Sequence, residues 1–90
     1  MPERFGTSDK HSLSEQTIRA LFRGHGIEVE PYPHSTRWRV RGIVAPPPLL
    51  ISEDALQAEY RRGGPRSVQV LVARMADHVQ AVRKLEALHA

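Results

Sequence analysis

The chain has 90 residues, a net charge of +3 at pH 7 and no cysteine. This length suits one compact domain with a modest core, and the lack of cysteine excludes disulfide frameworks and cysteine nucleophiles. The longest apolar runs, residues 46–51 and 70–73, are far shorter than the about 20 residues of a membrane-spanning helix, so we expect a cytoplasmic protein that makes no membrane contact.

The N-terminal part of the chain predicts a flexible arm followed by a helix. Residues 1–11 mix Pro, Gly, Ser and charged side chains without periodicity, and we assign residues 12–90 to a single α+β domain. Ser12 and Glu15 have the spacing of a capping box, which predicts that the first helix begins at Ser12. The glycines at 24–26 are expected to end it, because glycine accepts the left-handed conformation common at helix ends.

Two short alternating segments, 27–30 and 37–41, predict an antiparallel β-hairpin. The pairing that keeps every apolar side chain on one face sets Val29 opposite Trp38, and it predicts that Trp38 lies in the core. After a run of prolines, residues 49–51 are expected to form an apolar plug between elements.

The polar face of this hairpin carries a row of three arginines, Arg37, Arg39 and Arg41. The same register sets Glu30 against Arg37 and Glu28 against Arg39, so that Arg41 alone lacks a carboxylate. Alternate strand residues lie about 6.6–6.8 Å apart, close to the spacing of phosphates along a nucleic-acid strand. The row is therefore either the solvated face of the hairpin or a surface that binds the phosphates of a nucleic acid. The carboxylates of Glu28 and Glu30, which are expected to pair with two of the arginines, favour the solvated face.

The second half of the sequence predicts two helices. Ser52 is expected to cap the first of them, and the glycines at 63–64 to end it. The apolar side chains of residues 65–88 fall on one helical arc behind an initial proline, which predicts a long C-terminal helix. Residues 67–73 also alternate like a strand that would precede a separately capped helix. We favour the long helix, and the predicted order of elements is α-β-β-α-α, with the antiparallel hairpin packed against the helices.

The sequence contains no recognisable catalytic motif. Its five histidines, His11, His25, His34, His78 and His89, do not follow any metal-ligand spacing. The serines lack the nucleophile-elbow pattern, and the glycines lack the spacing of a nucleotide-binding loop. We therefore expect no enzyme activity, no cofactor, no metal ion and no small-molecule substrate.

The remaining hypotheses concern macromolecular partners. The first is a small regulator, adaptor or inhibitor that binds a protein, with homodimer formation through an apolar face on the C-terminal helix. That face consists of Val68, Leu71, Val72, Met75, Val79 and Val82. The alternative is a nucleic-acid-binding protein that uses an arginine surface. The candidate residues for that surface, or for an acidic partner, are Arg19, Arg23, Arg37, Arg39, Arg41, Arg61, Arg62 and Arg66.

Overall fold

The computed structural model describes residues 12–44 and 46–88, and these contain two helices and a three-stranded antiparallel sheet. The elements in chain order are α1 (Glu15–Arg23), β1 (Val29–Pro31), β2 (Arg37–Val40), β3 (Leu50–Ser52) and α2 (Glu53–Leu88). The predicted α+β class, the hairpin and the long C-terminal helix are confirmed. The predicted flexible arm, residues 1–11, lies outside the described residues.

Helix α1 begins later than the capping box predicts. Its N-cap is Ser14, whose Oγ accepts the backbone N–H of Thr17 at 3.1 Å. The predicted start at Ser12 is wrong because the peptide groups of Leu13 are held by the side chain of Gln57 in α2. The Leu13 N–H donates to Gln57 Oε1 at 2.7 Å, and Gln57 Nε2 donates to the Leu13 carbonyl at 3.0 Å. These contacts keep residue 13 outside the helix.

Strands β1 and β2 form the predicted hairpin, but the predicted register is wrong by two residues. Val29 pairs with Val40, and Trp38 pairs with Pro31. A shift of two leaves every side chain on its predicted face, because the side chains of a strand alternate with period 2. Trp38 is accordingly in the core, as predicted.

The turn explains this shift. The predicted register would leave Pro33 and His34 as a two-residue loop. The favoured two-residue hairpin turns need a positive φ at the first loop position, and proline cannot adopt a positive φ. The chain instead closes the loop one pair earlier, where the Tyr32 N–H donates to the Arg37 carbonyl at 2.9 Å. His34 takes the left-handed conformation, with φ 59°, and the Ser35 hydroxyl donates to the Tyr32 carbonyl at 3.1 Å.

A third strand, Leu50–Ser52, replaces the predicted apolar plug. It pairs with the free side of β2, where the Val40 N–H donates to the Leu49 carbonyl at 2.9 Å and the Glu53 N–H donates to the Thr36 carbonyl at 3.0 Å. A three-residue apolar run shows no alternation, and so the sequence pattern alone did not predict a strand here. The result is a sheet with the order β1-β2-β3.

Helix α2 consists of two helical segments, residues 53–63 and 65–88, joined at Gly64. Gly64 has φ 76° and ψ −167°, a conformation that is essentially restricted to glycine. The Ser52 Oγ accepts a backbone N–H of the first turn at 3.1 Å, as predicted. The long helix is confirmed, and the alternative strand at 67–73 is not formed.

The apolar face of the sheet packs against the helices around one core. Phe22 of α1 and Leu56 of α2 are both 0% exposed, and Trp38 of β2 is 3% exposed. The other buried apolar residues are Ile18, Ile27, Val29, Val40, Ile51, Val68, Val72, Ala76 and Val79. Within the described part of the chain, neither helix combines the length and apolar character that crossing a membrane requires.

Candidate functional site

The solvent face of the sheet carries the arginine row, and the observed register changes its ion pairs. Glu30 forms an ion pair with Arg39, and its other carboxylate oxygen lies 3.9 Å from Nε of Arg41. Glu28 instead lies 3.8 Å from Nε of Arg23, at the end of α1. The predicted pairs Glu30 with Arg37 and Glu28 with Arg39 are wrong because the register is shifted by two residues. Within residues 12–44 and 46–88, Arg37 rather than Arg41 is the member of the row without an ion pair.

Arg19 has a structural role beneath the sheet. It forms an i, i+4 ion pair with Glu15 at 2.9 Å, and its Nη1 donates to the Val29 carbonyl at 3.3 Å. Its guanidinium also lies over the indole of Trp38, 5.4 Å from the ring centroid, which is a cation–π geometry. These contacts hold the Arg19 guanidinium against the protein.

Arg61, Arg62 and Arg66 lie near Gly64, at the end of the 53–63 segment that is far from the sheet. The eleven helical residues of this segment span about 16 Å, which separates these arginines from the arginine row. Arg62 forms an ion pair with Glu59, and the hydrogen bond from Arg62 lowers the pKa of Glu59 below its ordinary value. Of the eight predicted arginines, five are ion-paired in the described structure, while Arg37, Arg61 and Arg66 are not.

The predicted apolar face of the C-terminal helix is mostly used within the chain. Val68, Val72 and Val79 are each 1% exposed and are core residues. Leu71 and Met75 are half-buried and pack against the core, and Val82 is also half-buried. The exposed continuation of this face, at Leu85 and Leu88 (56% and 79% exposed), was not among the predicted residues. In the sequence, Leu85 and Leu88 continue from Val82 at intervals of three residues, and this spacing was the signal for the exposed part of the face.

No described cluster of side chains has the composition of a metal centre. His25, His34 and His78 lie apart, and among the described residues no three side chains of His, Cys, Asp or Glu gather as metal ligands. His11 and His89 lie outside the described residues.

The two edges of the sheet differ in their capacity to bond another strand. Edge strand β1 is obstructed, because Pro31 has no N–H and the Val29 carbonyl is already bonded to Arg19. At β3, the bonded pairs Val40 with Leu49 and Thr36 with Glu53 fix which residues face β2. Directly bonded pairs alternate with unbonded pairs in an antiparallel ladder. The N–H and carbonyl of Leu50 and the N–H of Ser52 therefore point away from the sheet.

An apolar groove runs beside this edge, between β3 and the 65–88 segment of α2. Its volume is about 290 Å³, and it is lined by residues 49–52 of the strand and by Arg74, Met75, His78 and Val79 of the helix. The strand itself carries no charged side chain, and Ile51 points into the core. Natural edge strands are commonly protected by lysine, proline or a covering loop. Within Leu50–Ser52 there is no lysine or proline, but the strand has only three residues, which limits the number of backbone bonds that an added strand can form.

Comparisons of the chain with protein-family models, with curated proteins and with solved structures found no match. Function is therefore inferred from the geometry of the described residues. The open edge of β3 was missed at the sequence level because the strand itself was missed. The run Leu49-Leu50-Ile51 between prolines and a helix cap was its one sequence signal.

Proposed function

We propose that this chain is a non-catalytic binding protein, of regulator or adaptor type, that recognises another polypeptide by strand addition at the edge of β3. The observation that carries the proposal is the difference between the two edges of the sheet. Pro31 and Arg19 obstruct the β1 edge, whereas at the β3 edge the N–H and carbonyl of Leu50 and the N–H of Ser52 bond to no other described residue. An added strand bonds to these groups without displacing any bond of the sheet.

The groove supplies the second element of such recognition. In strand addition, backbone hydrogen bonds give affinity and pockets for alternate side chains give selectivity. A strand added to β3 directs every second side chain toward the helix layer, where Met75 and Val79 line the groove. Burial of an apolar side chain there contributes about 25 cal/mol for each Å² removed from water. The proposed partner segment is therefore extended and apolar on one face.

Nucleic-acid binding has weaker support. Five of the eight candidate arginines are ion-paired, which lowers the positive potential that a phosphate backbone would meet. Titration with mixed-sequence DNA at about 50 and about 200 mM salt gives a direct comparison, because a multi-phosphate contact loses affinity steeply over that range. Micromolar binding with such a salt dependence would favour the nucleic-acid alternative over strand addition.

The test of strand addition is a selection of random peptides displayed on phage, performed with the wild-type protein and with Leu50→Pro. Proline removes the outward N–H of residue 50 and spares the β2–β3 bonds. The matched control, Leu50→Thr, changes the same side chain and keeps the N–H. We expect selected peptides to bind wild type and Leu50→Thr, and to bind Leu50→Pro about tenfold more weakly, as one lost hydrogen bond predicts. Equal binding to the folded Leu50→Pro protein would contradict recognition at this edge.

A further inference from the structure

We infer that the polypeptide which occupies the β3 edge is a second copy of this chain, so that two sheets join into one six-stranded sheet across a twofold axis at Ile51. This inference rests on the proposed function, since it names the partner of the same edge. A twofold contact requires a surface that is complementary to itself. Three features of the described structure meet that requirement.

The first feature is the neutrality of the strand. An antiparallel pair of β3 strands centred on Ile51 sets Leu50 of each copy opposite Ser52 of the other, and Ile51 opposite its own counterpart. No charged side chain meets a like charge within the paired strands, which would otherwise destabilise the contact. A hydroxyl faces an aliphatic side chain on the solvent face, and two isoleucines meet on the core face.

The second feature is the match of backbone groups. In this pairing the Ser52 N–H of one copy donates to the Leu50 carbonyl of the other, and the Leu50 N–H donates to the remaining lone pair of the Ser52 carbonyl, whose first lone pair accepts the first bond of α2. The twofold axis repeats both bonds. The residues that would bond are those whose groups point away from β2, as the bonded pairs Val40 with Leu49 and Thr36 with Glu53 establish. A register shifted by one residue would set the outward groups of one copy opposite residues of the other copy whose backbone groups are already bonded to β2.

The third feature is closure. When two copies join at β3, the β3 edges bond to each other, and the two remaining edges of the joined sheet are both β1. Both of those ends are obstructed by Pro31 and by the Arg19 bond to Val29. The contact therefore stops at two copies, whereas an edge open on both sides would continue into a fibre. Met75, which is half-buried in the single chain, lines the groove beside this edge and would be further buried by the second copy.

The first experiment measures mass in solution by light scattering and sedimentation equilibrium over a series of concentrations. We expect wild type and Leu50→Thr to approach twice the 10.1 kDa chain mass with rising concentration, and folded Leu50→Pro to stay at the mass of a single chain. A wild-type mass that stays at one chain up to millimolar concentration would overturn the inference. So would a dimer that persists unchanged in folded Leu50→Pro.

The second experiment does not depend on how well the proline variant folds. The sequence has no cysteine, so that Leu50→Cys and Ser52→Cys each introduce a single thiol. Opposed residues of a bonded antiparallel pair lie about 5.5 Å apart at Cα, within the range of a disulfide, whereas two copies of position 50 lie beyond about 7 Å. We expect a mixture of the two variants to cross-link under mild oxidation and each variant alone to cross-link much less. Equal cross-linking in all three samples would overturn the twofold register.

The two proposals fail in different ways. If the protein is monomeric but peptides selected on wild type lose affinity for Leu50→Pro, strand addition stands and the second copy is not the partner. If the protein is monomeric and no selected peptide depends on the Leu50 N–H, both proposals fail. A dimer that Leu50→Pro abolishes supports both.

Discussion

The hydrogen bond between Trp38 and Glu53 allows the link between the sheet and helix α2 to be tested quantitatively. The indole Nε1 donates to Oε1 of Glu53 at 2.8 Å, and the other carboxylate oxygen accepts from Nε2 of Gln57 at 3.2 Å. Trp38 is only 3% exposed. Glu53→Ala therefore leaves the indole N–H with little access to water and without its acceptor.

The expected cost follows from these contacts. Loss of a hydrogen bond to a charged group costs about 1.5–3 kcal/mol, and loss of a negative charge from the first turn of a helix adds about 0.3–1 kcal/mol. We expect Glu53→Ala to lower the free energy of unfolding by about 2–4 kcal/mol, out of the roughly 5–15 kcal/mol typical of a domain. With a urea slope of about 1 kcal/mol per molar, the midpoint falls by about 2–4 M.

The assay is urea unfolding followed by the fluorescence of the single tryptophan. The matched control is Asp54→Ala, which removes a charge from the same helical turn but only an exposed bond from Thr36, at 3.1 Å. We expect this control to cost no more than about 1 kcal/mol. If Glu53→Ala is no more destabilised than Asp54→Ala, the indole bond does not stabilise the junction between sheet and helix.

Three further predictions concern the kink, an ion pair and the hairpin register. Gly64→Ala should destabilise the protein by about 1–3 kcal/mol in urea unfolding, because its φ of 76° strains any other residue. Arg62→Ala should raise the pKa of Glu59 toward its ordinary value in an NMR titration, since the hydrogen bond from Arg62 is the main cause of the lowered pKa. The stabilisation from this pair is present above the ordinary glutamate pKa of about 4.3 and is lost as the pH falls through the lowered one. NMR should also show a strong Hα–Hα contact between Val29 and Val40, which are directly opposed and unbonded.

Each of these predictions has a control or a contradicting result. Gly24 has φ −60° and room for a Cβ, so Gly24→Ala should stabilise the chain by about 0.4–1 kcal/mol. An unchanged stability in Gly64→Ala would mean that the kink relaxes without cost. An Hα–Hα contact from Val29 to Trp38, in place of Val40, would restore the register predicted from the sequence.

Local signals in the sequence were sufficient for most elements of the fold. Ser52, Gly64 and the glycines at 24–26 mark helix ends because caps and left-handed residues act within a few residues of where they stand. The apolar periodicity of 65–88 predicted a helix, since it reflects burial along a single element. The faces of the hairpin, including the burial of Trp38, followed from the alternation of its side chains.

Tertiary structure decided the features on which the proposed function depends. The start of α1 depends on Gln57, which is 44 residues from Leu13 in the chain, and no local pattern contains that contact. The register depends on a turn that Pro33 prevents from being short. Strand β3 exists because β2 has a second row of bonding groups to satisfy, and a three-residue run carries no periodicity of its own. The ion pairs of the arginine row and the open edge beside the groove follow from that register and that strand, and so they emerge only once the chain is folded.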